Sequence, residues 1–411
     1  MKNIVILGGG AAGMAAAIAA AETNSAAKVT LLEQNSRVGK KLLATGNGRC
    51  NLSNTGIDPR CYFTSDRKAM VKMLEAIGQA DPLGWFEAHG LVWRADEAGR
   101  IYPYSNQASD LLNLLLFWLE RTGVEVRTDC AVSAVVPGKN GYTLTLADGQ
   151  SLFADAVICA AGGSAGPQFG TEGFGTALAT ELGLDILPLY PCLVPLKCKK
   201  SQISGLSGIR VKADVTLYDG SRPVHTEEGE VQFTDYGLSG IAVMQLSGLL
   251  GPTGGIRKPQ NALDLFPHLS EKELLTLLHR HSRGLPGVNA AAFMTGLVNR
   301  KVGLAVWKAQ KLGEEKRLVS TLTKEEWQRL AYGLKYWLFS ELENTGWKNA
   351  QTTGGGIALA QLESGSFGVK NHRGLYFVGE TVDCAGSCGG FNLHWAFGSG
   401  ILAGLDAAAT V

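Results

Sequence analysis

The 411-residue chain reads as an α/β protein with a Rossmann-like dinucleotide-binding domain, interrupted by a β-rich stretch and a helical block. Three observations predict this. A strand, a glycine turn, a helix and a second strand open the chain. A strand, a glycine turn and a helix close it. Between them the apolar pattern passes from alternation to helical periodicity.

The opening unit is KNIVILGGGAAGMAAAIAAAETNSAAKVTLLEQ, residues 2–34. Residues 4–7 are a short run of mostly branched apolar residues, as in a strand buried on both faces. Gly8-x-Gly10-x-x-Gly13 follows at once. Gly8 is expected to make the turn, Gly10 to let a pyrophosphate approach the backbone, and Gly13 to let the helix pack on the sheet. The Ala-rich helix offers its first N–H groups and positive dipole end to phosphates. Residues 29–32 form the second strand and lead into Glu33, placed to accept hydrogen bonds from ribose hydroxyls. A 2′-phosphate on that ribose would be repelled by Glu33, which leaves FAD or NAD and disfavours NADP.

Bulk composition narrows the class. Hydrophobic residues make up 45% and charged residues 18%, enough apolar surface for a large core. A net charge of +1 gives no electrostatic reason to expect nucleic acid or an anionic membrane as partner. The 53 glycines cluster at motifs, which suggests backbone brought close to a ligand. Residues 3–21 are uncharged and follow Lys2, yet Gly8, Gly9, Gly10 and Gly13 break the run, so neither a signal peptide nor a membrane span is expected. A cytoplasmic location follows as the expectation, with the eight cysteines as reduced thiols.

Two further stretches extend the dinucleotide reading. FADAVICAAGGSAG carries a buried strand at 156–160 that runs into small residues. RGLYFVGETVDCAGSCGGFNLHWAFGSGILAGLDAAA gives a strand at 375–378, then Gly379, Glu380, Asp383, a glycine turn and a long helix from about Asn392. The N-terminus of that helix favours negative charge, such as reduced flavin carries over N1 and the C2 carbonyl. Ligands in open α/β sheets sit at the C-terminal ends of strands, so all three segments are expected to converge on one crevice.

The middle of the chain is organised differently. After three prolines at 188, 191 and 195, short alternating runs up to about residue 250 suggest antiparallel strands joined by Gly and Asp turns. Residues 257–329 read as helical. In LSEKELLTLLHRHSRG, Ser270 and Glu273 have capping-box spacing. This block holds 13 Lys/Arg against 7 Asp/Glu, read as a solvated helix face. Residues 332–356 alternate like a strand pair returning to the first domain. ASDLLNLLLFWLERTG reads as a buried helix capped by Ser109 or Asp110.

In order, GxGxxG, GKKLLATGNGRCNLSN, GEVQFTDYGLSGIAVMQLS, TTGGG and GLYFVGETVDCAGSCGGFNLHWAFGSG closely resemble a bacterial family of FAD-dependent oxidoreductases. That family includes aminoacetone-oxidase-type enzymes and bile-acid 3-dehydro reductases. The resemblance implies a discontinuous, glutathione-reductase-like FAD domain at 1–190 and 352–411. It also implies an inserted, barrel-like β domain at 191–256 and 330–351, with a nested helical domain at 257–329. It implies that Gly8, Gly10, Ala11, Ala12 and Gly13 touch the pyrophosphate and that Glu33 and Gln34 lie at the adenosine ribose. Lys41 and the loop Thr45, Gly46, Asn47, Gly48, Arg49, Cys50 and Asn51 would wrap the flavin side. Val132 would present its backbone to adenine, and Ala161 and Gly162 would flank the dinucleotide. Gly379, Glu380 and Asp383 would lie near the ribityl chain, with Gly389, Gly390, Phe391, Asn392 and Leu393 at the isoalloxazine edge.

Several residues are weighed on chemistry. Cys50 has no CxxC partner and reads as a bystander thiol behind the cofactor. Cys384 and Cys388 are four apart and read as turn residues, with a flavin-linked redox pair as the rival. His394 stands where the family has Gln. It is the candidate catalytic residue, as proton donor or stabiliser of the reduced ring, beside the equal reading of a core histidine. Asp235 departs from a His common in the family, which bears on substrate. No metal spacing occurs, so no metal is expected. No second GxGxxG follows a strand, so NAD(P)H, if it is the electron donor, docks transiently. The expected function is hydride exchange at flavin N5 with a small or steroid-like substrate held between the FAD and β domains. An enone C=C reductase is the leading form, with an O2-using amine or α-amino-ketone oxidase as alternative. A flavoprotein that modifies or binds RNA is the alternative from another class. The sequence sets no oligomeric state.

Overall fold

Strand β1 (Asn3–Leu7) is the centre of a five-stranded parallel sheet, with Ile4 and Ile6 wholly buried. The computed structural model describes residues 2–409. They divide into a unit that runs through Cys192 and resumes at Trp347, and a unit Leu193–Gly346. In the first unit, helix α1 (Ala11–Thr23) links β1 to β2 (Lys28–Leu32). Strands β3 (Glu125–Arg127), β4 (Ala156–Cys159) and β5 (Leu375–Phe377) complete the order β5-β4-β1-β2-β3. β1 pairs with β4 through Ile4↔Ala156 and with β2 through Ile4↔Val29.

The C-terminal helix α2 (Phe391–Ala409) lies against α1 because both are built of small residues where they meet. A Cβ on Gly400 would stand 2.2 Å from the Ala12 carbonyl oxygen, and one on Gly404 would stand 2.4 Å from that of Ala16. Backbones this close leave no room for a methyl group, so the glycine and alanine repeats set the contact. The packing sets the middle of α2, at Gly400, beside the first turn of α1, so the two helices run in the same direction and the first turns of α2 reach beyond the start of α1. Strand Ile186–Cys192 pairs antiparallel with Thr352–Ile357, where the chain leaves this unit and returns to it.

The helix Ala108–Arg121 differs from expectation. Leu111, Leu115 and Leu119 are buried, but Leu116 and Phe117 on the other face are exposed, so the helix is amphipathic. Its N-cap is Gln107, without a side-chain bond, because Ala108 is already helical and packed in the core. Ser109 and Asp110 therefore lie inside the first turn and do not cap it.

The second unit carries a seven-stranded sheet whose long strands are Arg210–Asp219, Arg222–Phe233 and Pro259–Asp264. Alternation buries Ala213, Val215 and Leu217 on one face. Helices Glu271–Arg283, Ala290–Thr295, Arg300–Ala309 and Lys324–Lys335 share one hydrophobic core with that sheet. Leu278, Phe293, Trp307 and Trp327 join Val215 and Phe233 in it. The Ser270–Glu273 capping box forms. Two boundaries move: Pro259–Asp264 is a strand inside the stretch read as helical, and the last helix continues to Lys335 where alternation suggested strands. Lys335 explains the extension, since its buried ammonium binds Asp264 at 2.6 Å and the carbonyls of Phe266 and Leu269.

Candidate functional site

Above the C-terminal ends of β1, β2 and β4 lies a cavity of about 430 Å³ within the first unit. Its lining runs from Gly8, Gly9, Gly10, Ala11 and Ala12 to Asn392, Leu393, Trp395 and Ala396 on α2. The three motif glycines do three separate things. Gly8 has φ +103°, and a Cβ there would stand 2.5 Å from the Ala160 carbonyl oxygen. A Cβ on Gly13 would sit 1.9 Å from the Gly8 oxygen, so Gly13 lets helix and turn touch. A Cβ on Gly10 would meet nothing within 4 Å, and its missing side chain is open cavity. Gly10 caps α1 without a side-chain hydrogen bond, and the first turn holds no acidic residue. No side chain thus competes for the helix's positive end, which suits an anionic phosphate.

Glu33 borders the cavity at 8% exposure. One carboxylate oxygen accepts from Gly9 N at 2.8 Å. The other accepts from Asn35 N at 2.8 Å and from Asn35 Nδ2 at 2.6 Å. Glu33 therefore shapes the glycine loop as well as bordering the cavity, a tie to Gly9 and Asn35 that the sequence did not reveal. Gln34 donates to the Gly170 carbonyl. Further along, Lys41 Nζ binds Glu380 at 2.6 Å and the Ala165 carbonyl at 3.1 Å. Glu380 also accepts from Thr353 N at 2.9 Å and Thr353 Oγ1 at 2.8 Å. This bridge joins the segment after β2, the turn after β5 and the strand Thr352–Ile357. Val132, Ala161, Gly162 and Gly379 line the cavity as well.

In the loop TGNGRCN only Thr45 belongs to that lining; residues 46–51 do not. Gly46, Asn47, Gly48 and Cys50 all have positive φ, so the loop coils tightly on itself. Arg49 donates to the Gly46 carbonyl at 3.1 Å and stacks over Tyr102 with 4.8 Å to the ring centroid. Cys50 is buried, and burial pushes its thiol up to about 12, as befits an inert packed cysteine. Asn51 closes the loop onto the last helix. With its amide donating to Ser53 O at 2.9 Å and Ile101 O at 3.3 Å, its oxygen accepts from Gly390 N at 3.1 Å. Gly390 has φ +102°, and a Cβ there would stand 2.1 Å from the Ser53 carbonyl oxygen. Here the loop is a clip that seats the start of α2.

At the α2 end, sequence candidates separate into wall and support. Asn392 and Leu393 line the cavity, while Gly389, Gly390 and Phe391 do not. The Asn392 amide bonds both ways to Gly386, at 2.8 Å each, and so fixes the preceding turn. Asp383, expected near the ribityl chain, is outside the lining. Its carboxylate accepts from Ser65 N at 2.8 Å and from the Ser65 and Thr64 hydroxyls. His394, the catalytic candidate, is also outside the lining. Its Nδ1 pairs with Ser53 Oγ at 3.0 Å, and burial lowers its pKa to about 4, so the ring is neutral at ordinary pH. Cys384 does line the cavity. Burial, then the neighbouring Asp383 charge, raises its thiol well above the usual range. A protonated thiol is a poor partner for dithiol exchange with Cys388.

Residues the sequence reading passed over include Asn35, Lys40, Phe169, Thr352 and Trp395. Trp395 had a usable signal, lying three residues beyond Asn392 on one helix face. Thr352 Oγ1 and Trp395 Nε1 are buried without a hydrogen-bond partner, in residues at 1% and 2% exposure that line the cavity. Among the described residues no group of three His, Cys, Asp or Glu could hold a metal ion. None of the described helices is long and apolar enough to cross a membrane.

The open Gly10 cradle, the side-chain-free first turn of α1 and a cavity reaching α2 fit an extended dinucleotide cofactor. Fold and site thus define a flavin-dependent oxidoreductase with a Rossmann-type dinucleotide cradle. The chain belongs to the family described as HI0933-like protein Rossmann domain, which matches residues 2–406. It is 36% identical over 410 residues to the 3-dehydro-bile acid delta(4,6)-reductase of Clostridium scindens, covering 99% of each chain. It is 27% identical over 401 residues to the ribosomal RNA dihydrouridine synthase of Escherichia coli, covering 97% of this chain and 96% of that one. Among solved structures, the 3-ketosteroid delta1-dehydrogenase of Sterolibacterium denitrificans aligns over the whole of both chains. Its TM-score is 0.51 at 12% identity, a likeness of fold alone.

Proposed function

We propose that the protein binds FAD in this cavity and saturates a carbon–carbon double bond conjugated to a carbonyl, with a steroid-like dienone as the leading substrate. The observation that carries this reading is the 36% identity, across the whole chain, to a reductase of the 3-oxo-Δ4,6 system. The other relative supports the same chemistry. Dihydrouridine is uridine with its 5,6 double bond saturated, and that bond too is conjugated to a carbonyl.

When bound, the flavin supplies two-electron hydride chemistry. The chain supplies position and electrostatics. In this reading Gly10, Ala11 and Ala12 receive the pyrophosphate on backbone N–H groups, and Glu33 holds both the loop and the adenosine ribose. Lys41, tied to Glu380, faces the middle of the cofactor, with Val132 near adenine and Asn392 and Leu393 at the ring edge. Anaerobic mixing tests it: reduced, FAD-loaded protein should be reoxidised by a 4,6-dien-3-one steroid. Bleaching of the oxidised protein by an amine, with no response to the dienone, would instead indicate an oxidase.

One observation favours RNA as an alternative source of the conjugated bond. Residues 274–313 contain no Asp or Glu but six basic residues: Arg280, Arg283, Arg300, Lys301, Lys308 and Lys311. All six are exposed and form no ion pair among the described residues. Unpaired basic surface attracts a phosphate backbone. Retention on ribosomal RNA that weakens steeply with salt, and with Lys301→Glu and Lys308→Glu, supports this reading; salt-independent passage through the column removes it.

A further inference from the structure

A lysine serves a phosphate well only when its ammonium is held in place, because its long stem is flexible. Lys41 lines the cavity, and the stretch that carries it is tied to the glycine loop: Gly39 N donates to the Gly9 carbonyl at 2.8 Å. The two segments press close there, since a Cβ on Gly9 would stand 2.4 Å from Val38 Cγ1. An ammonium has three N–H bonds to give. Lys41 gives one to Glu380 and one to the Ala165 carbonyl. The third is left for a ligand, on a side chain that is 26% exposed.

What fixes this ammonium is a hydroxyl behind the wall. Thr353 is 1% exposed and is not part of the cavity lining. Its Oγ1 accepts from Ser164 N at 2.8 Å and from Ala165 N at 3.0 Å, and donates to Glu380 Oε1 at 2.8 Å. A hydroxyl has one hydrogen and two lone pairs, so all three are used. Glu380 Oε2 takes Lys41 at 2.6 Å, and Lys41 returns to the Ala165 carbonyl at 3.1 Å. Thr353, Glu380, Lys41 and Ala165 thus close a ring drawn from four separate segments of the chain. The backbone is shaped to it. A Cβ on Gly163 would lie 2.2 Å from Thr353 Oγ1, so a glycine there lets the chain after β4 fold over the hydroxyl.

We propose that Thr353 is the positioning residue that aims Lys41 at the pyrophosphate of the cofactor, an inference that rests on the reading that this cavity takes FAD. Thr353 touches no ligand itself. It holds the Glu380 carboxylate and the Ala165 carbonyl at a fixed separation, so the protein satisfies two Lys41 N–H bonds and the third is presented to the phosphates. An ammonium ordered in advance loses little further side-chain freedom when the cofactor binds. Without the hydroxyl, Ser164 N and Ala165 N lose their acceptor, the ring opens, and the Lys41 charge is no longer placed.

FAD titration of the apoprotein, followed by flavin fluorescence at low and at high salt, tests the assignment. Lys41→Met and Thr353→Val should each weaken FAD binding about 10–100-fold, the range for one hydrogen bond between charged groups. Each should also flatten the salt dependence that the ammonium confers. Thr353→Ser, which keeps the hydroxyl, should restore both affinity and salt dependence. Adding Thr353→Val to Lys41→Met should change Kd by less than about threefold, because both act through one ammonium. Losses that multiply, or a wild-type salt dependence in Thr353→Val, would make Thr353 a packing residue and overturn the proposal alone, as would wild-type affinity in Lys41→Met. Thr353→Cys, a weaker acceptor in the same place, is read in the same way should the valine protein fail to fold. A wild-type apoprotein that takes up no FAD would overturn the cofactor reading and this proposal together.

Discussion

Gly10→Val separates the cofactor cradle from the fold. Gly10 has φ −84° and ψ −169°, ordinary extended backbone open to valine, and its Cβ direction is empty to 4 Å. The substitution therefore costs the protein little, and its melting temperature should stay close to wild type. The new side chain, however, fills space where the pyrophosphate must approach the helix N–H groups. Loss of two hydrogen bonds to charged oxygens, at about 1.5–3 kcal/mol each, amounts to roughly 3–6 kcal/mol. That corresponds to a Kd for FAD weakened by about 10²–10⁴-fold. Gly13→Ala is the contrast. Its Cβ would lie 1.9 Å from the Gly8 oxygen, so helix and turn must part and stability should fall by about 1–3 kcal/mol. Titration of apoprotein with FAD, followed by flavin fluorescence, alongside thermal melts, reads both effects. Wild-type FAD affinity in a folded Gly10→Val protein would refute the placing of the phosphates.

Other consequences follow from particular contacts. Lys41→Met leaves the partly buried Glu380 without its cation, and denaturant titration should show a loss of about 1–3 kcal/mol; no loss would mean the bridge is solvent-loosened. Asn261 is wholly buried in strand Pro259–Asp264 with both amide atoms unpartnered, so Asn261→Leu should raise stability by about 1–3 kcal/mol in the same assay, and a loss would reveal a hidden partner. His394 titrates at about 4 in the folded protein against 6.5 unfolded, through burial. The unfolded state therefore binds more protons between those values. The His394 contribution is complete above pH 6.5, declines as pH falls to 4, and totals about 3 kcal/mol. His394→Gln should flatten that part of the stability-versus-pH curve, and an unchanged slope would assign it to other groups.

The legible parts of this chain are those whose cause is local. The strands at 4–7 and 29–32, the glycine turn and the C-terminal helix each announce themselves by neighbours a few residues apart. The Gly8, Gly10 and Gly13 spacing carries the shape of the cradle because Gly8 and Gly13 each answer an atom of the same unit while Gly10 leaves the space beside it open. What stayed hidden depends on distant partners. TGNGRCN reads as a cofactor loop, yet Asn51 serves Gly390, and nothing near residue 51 signals that bond. Asp383 and Ser65 are similarly far apart, so a carboxylate expected at the ribityl chain is spent on a turn. The strand at 259–264 follows a Gly/Pro-rich stretch and precedes a strong capping box, and its helical neighbours dominated the local pattern. Thr352 and Trp395 stand out only through their missing partners, which no sequence displays.

The most direct test of the account is the anaerobic reaction of the reduced, FAD-loaded protein with a 4,6-dien-3-one steroid. The account predicts return of the oxidised flavin spectrum in step with one equivalent of a product saturated at one carbon–carbon bond. A flavin that stays reduced in the dienone's presence and recovers its colour only when oxygen is admitted would contradict it.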